Sequence, residues 1–161
     1  MNAAYLHIAL VHLPVIMTPL GALLLAIAHL RGSLTVARVA LGILIAASVI
    51  AVPVFLLGEP AEEIVEHLPG ISEHLIEEHE EAAELALWCS IATGLLGLAT
   101  WFAISIGAAL ERALLAITFL ASSLASLALG YTAHQGGKIR HPEAFGLLQP
   151  QQQQSEHNEH D

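Results

Sequence analysis

Ten histidines stand in a chain of 161 residues that carries only five Lys and Arg. A neutral imidazole ligates Zn, Cu, Ni or Fe, and it exchanges a proton near neutral pH. Four of the ten are placed where such chemistry could gather: His12, His79, His134 and His141. Counting ~1.5 Å per helical residue from the arginine-marked ends of the apolar runs, His12 and His134 come to about the same level. His79 stands roughly two turns higher, and His7 about 7.5 Å above His12 by the same rise. His141 follows Gly136-Gly137 and could fold back over a bundle. From His79, the positions Ala83, Ala86, Ser90, Gly94 and Gly97 make a small-residue stripe. Backwards from His134, Gly130, Ser126 and Ser123 make another. Small stripes pack against helices or a flat ligand, so both histidines are predicted to face the interior. Pro14 spoils a helical-wheel argument for His12, while His7 aligns with Thr18 and Gly21 and could also turn inward.

Three chemistries fit this set. In a b-type haem site, imidazoles from two helices ligate the iron, and Gly94, Gly97 and Gly130 would leave room for the porphyrin. In a metal site, His12, His79 and His134 would bind Zn, Cu or Ni, with Met17 and Cys89 as softer but badly placed additions. A proton relay of His and Glu is the third. The Glu-x-x-His spacing of di-iron bundles is absent, since Ile64, Ile71 and Ile76 stand three before His67, His74 and His79. His-Glu-x-x-His and a Ser/His/Asp set are absent too. The plain alternatives are helix-to-helix hydrogen bonding for His12 and interfacial side chains for His79 and His134. His67 and His74, among glutamates, read as a solvated face, and His29, beside Arg31, as an interface residue.

The elements that must position these residues are apolar. The chain is 55% hydrophobic and only 12% charged, with a mean hydropathy of +0.66. Ordinary soluble domains carry about 25% charged residues. Four stretches, about residues 5–30, 35–57, 85–106 and 113–132, reach the roughly 20 residues that a membrane helix needs. They are apolar all round, whereas soluble helices alternate faces. The expected fold is all-α, an integral-membrane four-helix bundle. The first run lacks a basic leader and is longer than a signal core, so it reads as a retained span, kinked at Pro14 and Pro19. A net charge of -10 excludes a nucleic-acid partner, which needs a basic footprint. One cysteine excludes an internal disulfide and a Cys-based cluster.

Cytoplasmic loops collect Lys and Arg. Arg31, Arg38 and Arg112 flank the two short loops, against Lys138 and Arg140 after the fourth span. The short loops are therefore placed inside, with both termini and the long 58–84 segment outside. All acidic residues but Glu111, and all histidines but His29, then lie outside. Such an acidic face attracts cations or a basic partner.

Within that outer segment, residues 59–68 read as a short amphipathic helix. Pro60 sits at its first position, and Ala61, Ile64, Val65 and Leu68 make an i, i+3, i+4, i+7 stripe. Pro69-Gly70 ends it. Ser72 is a good N-cap, and the next helix can run from Glu73 straight into the third span. Residues 1–142 form the four-helix transmembrane domain, and 143–161 a disordered polar tail with a Gln run and His157 and His160.

The run Leu10-Val11-His12-Leu13-Pro14-Val15 resembles the Val-His-Phe-Pro-Ile opening of a bacterial family of four-helix membrane proteins with a domain of unknown function. Gly136-Gly137-Lys138-Ile139-Arg140-His141 is similar to that family's closing Gly-Gly-x-Leu-Val-Tyr-x-His. The resemblance spans about residues 5–142. It implies the four-span topology and singles out His12, His79 and His141.

The functional expectation is a b-type haem protein of the bacterial cytoplasmic (inner) membrane. Electrons would pass from a membrane donor such as quinol to a periplasmic redox protein. His12 would ligate opposite His79 or His134, with His141 as a spare ligand or propionate contact. A Zn, Cu or Ni sensor or transporter is the alternative. A cofactor-free accessory subunit of a membrane complex, or a homodimer, is the third.

Overall fold

A computed structural model describes residues 2–66 and 71–147. The described chain is all helical: α1 (Ala3–Arg31), α2 (Leu34–Leu56), α3 (Gly58–Val65), α4 (Glu73–Ser105) and α5 (Glu111–Arg140), then a 3-10 turn at Pro142–Phe145. Four packed helices are each long and apolar enough to cross a membrane. The protein is a multi-pass membrane protein, and the outward sides of its spans contact lipid. His67, Leu68, the Pro69-Gly70 break and the tail from 148, with His157 and His160, lie outside the described residues.

Local signals set the helix ends. Asn2 Oδ1 accepts from the Tyr5 amide at 2.9 Å and starts α1. Gly32, at φ 61°, ends it, and the amides of Gly32 and Ser33 return to carbonyls of the last turn. The Ser33 hydroxyl then accepts from the Val36 amide at 3.4 Å to start α2. Gly107, at φ 65°, turns the chain between α4 and α5. α1 runs unbroken through Pro14 and Pro19. α3 begins at Gly58, two residues earlier than expected. Pro60 therefore sits inside the first turn, where its missing N–H costs no internal bond. α4 runs from Glu73 without a break, with Ser72 at the cap position but no side-chain cap bond.

The four long helices form a ring in which α1 touches α2 and α5, and α4 touches the same two. α1 and α4 are thus diagonal neighbours. α3 lies against α1 and α2. One end of the ring carries the start of α1, the short helix α3 and the glutamate-rich start of α4, and is called the acidic end below. The opposite end carries Arg31, Arg38 and Arg112.

Nothing apolar draws helices together in lipid, so association rests on close packing of small residues and on interhelical polar contacts. Gly21 takes the Leu44 side chain, Gly94 takes Ser48, and Gly97 takes Ile45. A cluster built on Leu25, Ala40, Leu41, Leu44, Ile104 and Leu115 fills the half nearer the arginine end. Thr100 and Thr118 share a hydroxyl–hydroxyl hydrogen bond of 2.8 Å between α4 and α5, with both side chains fully buried.

Gly94 gives the packing claim its sharpest test. A Cβ there would lie 2.6 Å from Ser48 Cβ. Gly94→Ala is expected to destabilise the bundle by about 1–3 kcal/mol through overpacking, with partial recovery when Ser48→Gly is added. Unfolding in detergent measures both; an unchanged midpoint for Gly94→Ala contradicts the packing.

Candidate functional site

The acidic end brings two histidines together, one from each diagonal helix. His7 of α1 and His79 of α4 have ring centroids 6.5 Å apart and planes at 82°. Both rings are partly buried. Each is held by a carbonyl of a third helix. His7 Nδ1 meets the Val54 carbonyl of α2 at 3.0 Å, and His79 Nδ1 meets the Thr132 carbonyl of α5 at 3.0 Å. A carbonyl oxygen only accepts, so in the neutral rings each Nδ1 carries the proton and each Nε2 keeps its lone pair. This is the pattern of ligating histidines, whose second nitrogen is commonly fixed by a backbone carbonyl or carboxylate.

The two holding carbonyls are available for different reasons. Val54 lies in the last turn of α2, where its carbonyl takes a 3.3 Å bond from the Leu57 amide and keeps a second lone pair for His7. Thr132 lies well inside α5, so its carbonyl is reached from the side. Gly136 permits that approach: a Cβ there would lie 3.1 Å from His79 Cε1. The Thr132 hydroxyl in turn donates to the Ala82 carbonyl at 2.8 Å and locks α4 to α5 beneath the histidine.

Beside this pair, Gln135 is 2% exposed. Its Nε2 donates to Glu78 Oε2 and to the Tyr131 hydroxyl, both at 3.1 Å. Nε2 must be the atom facing the carboxylate, which directs Oε1 away from it. That buried oxygen has no partner among the described residues. Glu78 is flanked by Lys138 Nζ at 3.9 Å and His74 Nε2 at 3.5 Å, both on the rim.

The other candidates are dispersed. His12 is exposed, and its Nδ1 turns back to the Ile8 carbonyl of its own helix at 2.8 Å. His134 was predicted to face the interior; it is exposed and packs edge-on against Phe145 at 5.2 Å. The reason is the buried stripe of α5, which runs through Thr118, Ser122, Ala125, Leu129, Thr132 and Gln135. His134 is off that stripe, and Gly130 has nothing within 4 Å. His141 is exposed and pairs with Glu143 Oε1 at 3.1 Å. The Glu143 backbone N–H and this imidazole hold the Glu143 carboxyl below its ordinary range. Among the described residues no three His, Cys, Asp or Glu side chains gather as a metal cluster. Cys89, a free thiol, packs on Ala86, Ala128 and Leu129. Gly94 and Gly97, the room expected for a porphyrin, are filled by α2 side chains.

His7 was therefore the underrated residue, and its alignment with buried Thr18 and Gly21 was the signal for it. Gln135 was missed. The repeat of Thr118, Ser122, Thr132 and Gln135 at helical spacing was the clue available.

The tautomers are directly measurable. Nitrogen-15 spectra of histidine-labelled protein above the imidazole titration range are expected to show Nδ1–H, bare Nε2 rings for His7 and His79. A proton on Nε2 of either ring contradicts the geometry.

No family model, curated protein or solved structure matches the chain; of the family resemblance, what stands is the set of four long apolar helices.

Proposed function

We propose that this chain is a membrane electron carrier in which His7 and His79 ligate one b-type haem iron at the acidic end. The observation that supports this reading is the close edge-on pair of rings, each with Nδ1 taken by a carbonyl, which leaves each Nε2 lone pair for a ligand. Were both Nε2 atoms to reach one metal from opposite sides, metal–nitrogen bonds of about 2.0–2.1 Å would set the ring centroids roughly 6 Å apart. The 6.5 Å separation is of that order. Ligand count then favours haem. A structural zinc site takes four ligands and a catalytic one three from protein, whereas haem iron asks for axial ligands only. When bound, haem supplies a one-electron couple. The chain's own part is to fix both imidazoles through Val54 and Thr132, which sets the tautomer and holds the rings oriented for ligation.

This places the ligands on His7 and His79, with His12, His134 and His141 outside the ligand set. The basic-residue bias puts the arginine end in the cytoplasm and the acidic end, with both termini, outside. A bacterial inner membrane, a quinol donor and a basic outer redox partner drawn by the Glu-rich start of α4 complete the reading. A second reading is a Cu, Zn or Ni ion between the same two rings. The filling of Gly94 and Gly97 favours it, because a bare ion needs no flat slot.

One preparation separates the readings. Protein purified in detergent from haem-replete cells is expected to show a Soret band, lost in His7→Ala and in His79→Ala and kept in His12→Ala. Stoichiometric Cu, Zn or Ni without porphyrin, lost in the same two variants, supports the ion instead. A colourless, metal-free protein contradicts both and leaves an accessory subunit. For a bare ion, loading is further expected to fall on acidification, since ligation requires neutral imidazole. Equal loading at pH 8 and pH 5 contradicts histidine ligation of the ion.

A further inference from the structure

The arginine end holds a cavity of about 430 Å³ that the electron-transfer reading does not use. It opens where α1 ends and where α2 and α5 begin. Its walls are of two kinds. Ala28, Leu34 and Leu115 make an apolar side, while His29, Ser33, Glu111 and Arg112, with Gly32, make a polar one. Arg112 and Glu111 are adjacent in sequence, yet neither has an ion pair among the described residues. The Ser33 oxygen accepts from the Val36 amide, so its own O–H is free to donate. A cation, an anion and a hydroxyl donor are therefore presented together, unpaired, beside an apolar wall.

Depth adds a second constraint. The cavity lies at the ends of three spans, where the hydrocarbon gives way to headgroups. Exposed Leu30 and Leu110 flank it in sequence, so lipid reaches its edge. Basic pockets between membrane helices on the cytoplasmic side bind the phosphates of lipid headgroups. A guanidinium matches phosphate oxygens in planar, bidentate fashion. An unpaired carboxylate in the same cavity would repel a purely anionic headgroup and attract an ammonium.

We infer that this cavity binds one phospholipid whose headgroup carries both a phosphate and a primary ammonium, that is, a phosphatidylethanolamine. Arg112 and the Ser33 hydroxyl take the phosphate, and Glu111 takes the ammonium. Ala28, Leu34 and Leu115 take the glycerol and the first methylenes. The bound lipid fills the junction of α1, α2 and α5 and joins the two short-loop ends of the bundle.

The test uses the full chain in nanodiscs of equal phosphatidylethanolamine, phosphatidylglycerol and phosphatidylcholine, followed by transfer to mild detergent and native mass spectrometry. The wild-type protein is expected to keep one phosphatidylethanolamine. Arg112→Gln is expected to lower its occupancy about tenfold, and Glu111→Gln to shift retention toward phosphatidylglycerol. Arg140→Gln, at the other end, serves as the control and is expected to change nothing. Both tested side chains are at the bundle surface or its edge, and helical content by circular dichroism shows whether each variant folds. Retention that is indifferent to Arg112→Gln, or equally weakened by Arg140→Gln, overturns the assignment. So does thermal stabilisation by inorganic phosphate alone that matches the effect of the lipid, because the site is then a simple anion site.

Discussion

The controlling constraint is the absence of a hydrophobic drive between helices that already lie in hydrocarbon. A leucine gains little by leaving lipid for a neighbouring helix, so the spans associate where backbones can come close. Three glycines serve this directly. Gly21, Gly94 and Gly97 each receive a side chain of α2, and with them α2 is clamped between α1 and α4. On the other side of the ring, hydroxyls join α4 to α5, through Thr100 with Thr118 and through Thr132 with the Ala82 carbonyl. The two pairs that α2 makes, with α1 and with α4, are tied by steric fit, and the α4–α5 pair by polar contact. Both tryptophans and many of the leucines, among them Leu23, Leu95, Leu98 and Leu124, are left to face lipid.

The ring order that results puts α1 and α4 on a diagonal, too far apart for extensive helix contact and close enough for two side chains to meet. His7 and His79 occupy that gap at the acidic end. Neither is held by its own helix. Val54 of α2 fixes one and Thr132 of α5 fixes the other, so all four spans determine how the two rings stand. Gly136 belongs to the same logic as Gly94: a missing Cβ lets another helix's group approach the backbone. The small residues of the bundle therefore have two duties, close packing near its middle and exposure of a carbonyl at its mouth.

Much of the architecture was legible in the sequence because it depends on composition and local signals. Four long apolar runs, the amphipathic α3 and the unbroken α4 all follow from residues near in sequence. Helix facing was harder. The stripe beneath His79 was read correctly, since Ala86, Ser90, Gly94 and Gly97 are buried. The stripe beneath His134 was not, because α5 carries small residues on two faces and only one of them meets the bundle. The same ambiguity separated His12 from His7. The motif around His12 drew attention to it, but Pro14 is the buried residue of that motif and His12 points outward. The glycine stripe was legible as small and its occupant was not, because Ser48 and Ile45 come from a helix remote in sequence.

The proposed function requires that His7 and His79 ligate one iron. Low-temperature electron paramagnetic resonance of the oxidised protein, with His12, His134 and His141 all replaced by Ala, tests this most directly. Two axial imidazoles predict a low-spin ferric signal, retained in this triple variant because His7 and His79 are intact. A high-spin ferric signal, or loss of haem from the triple variant, would contradict ligation by the His7–His79 pair.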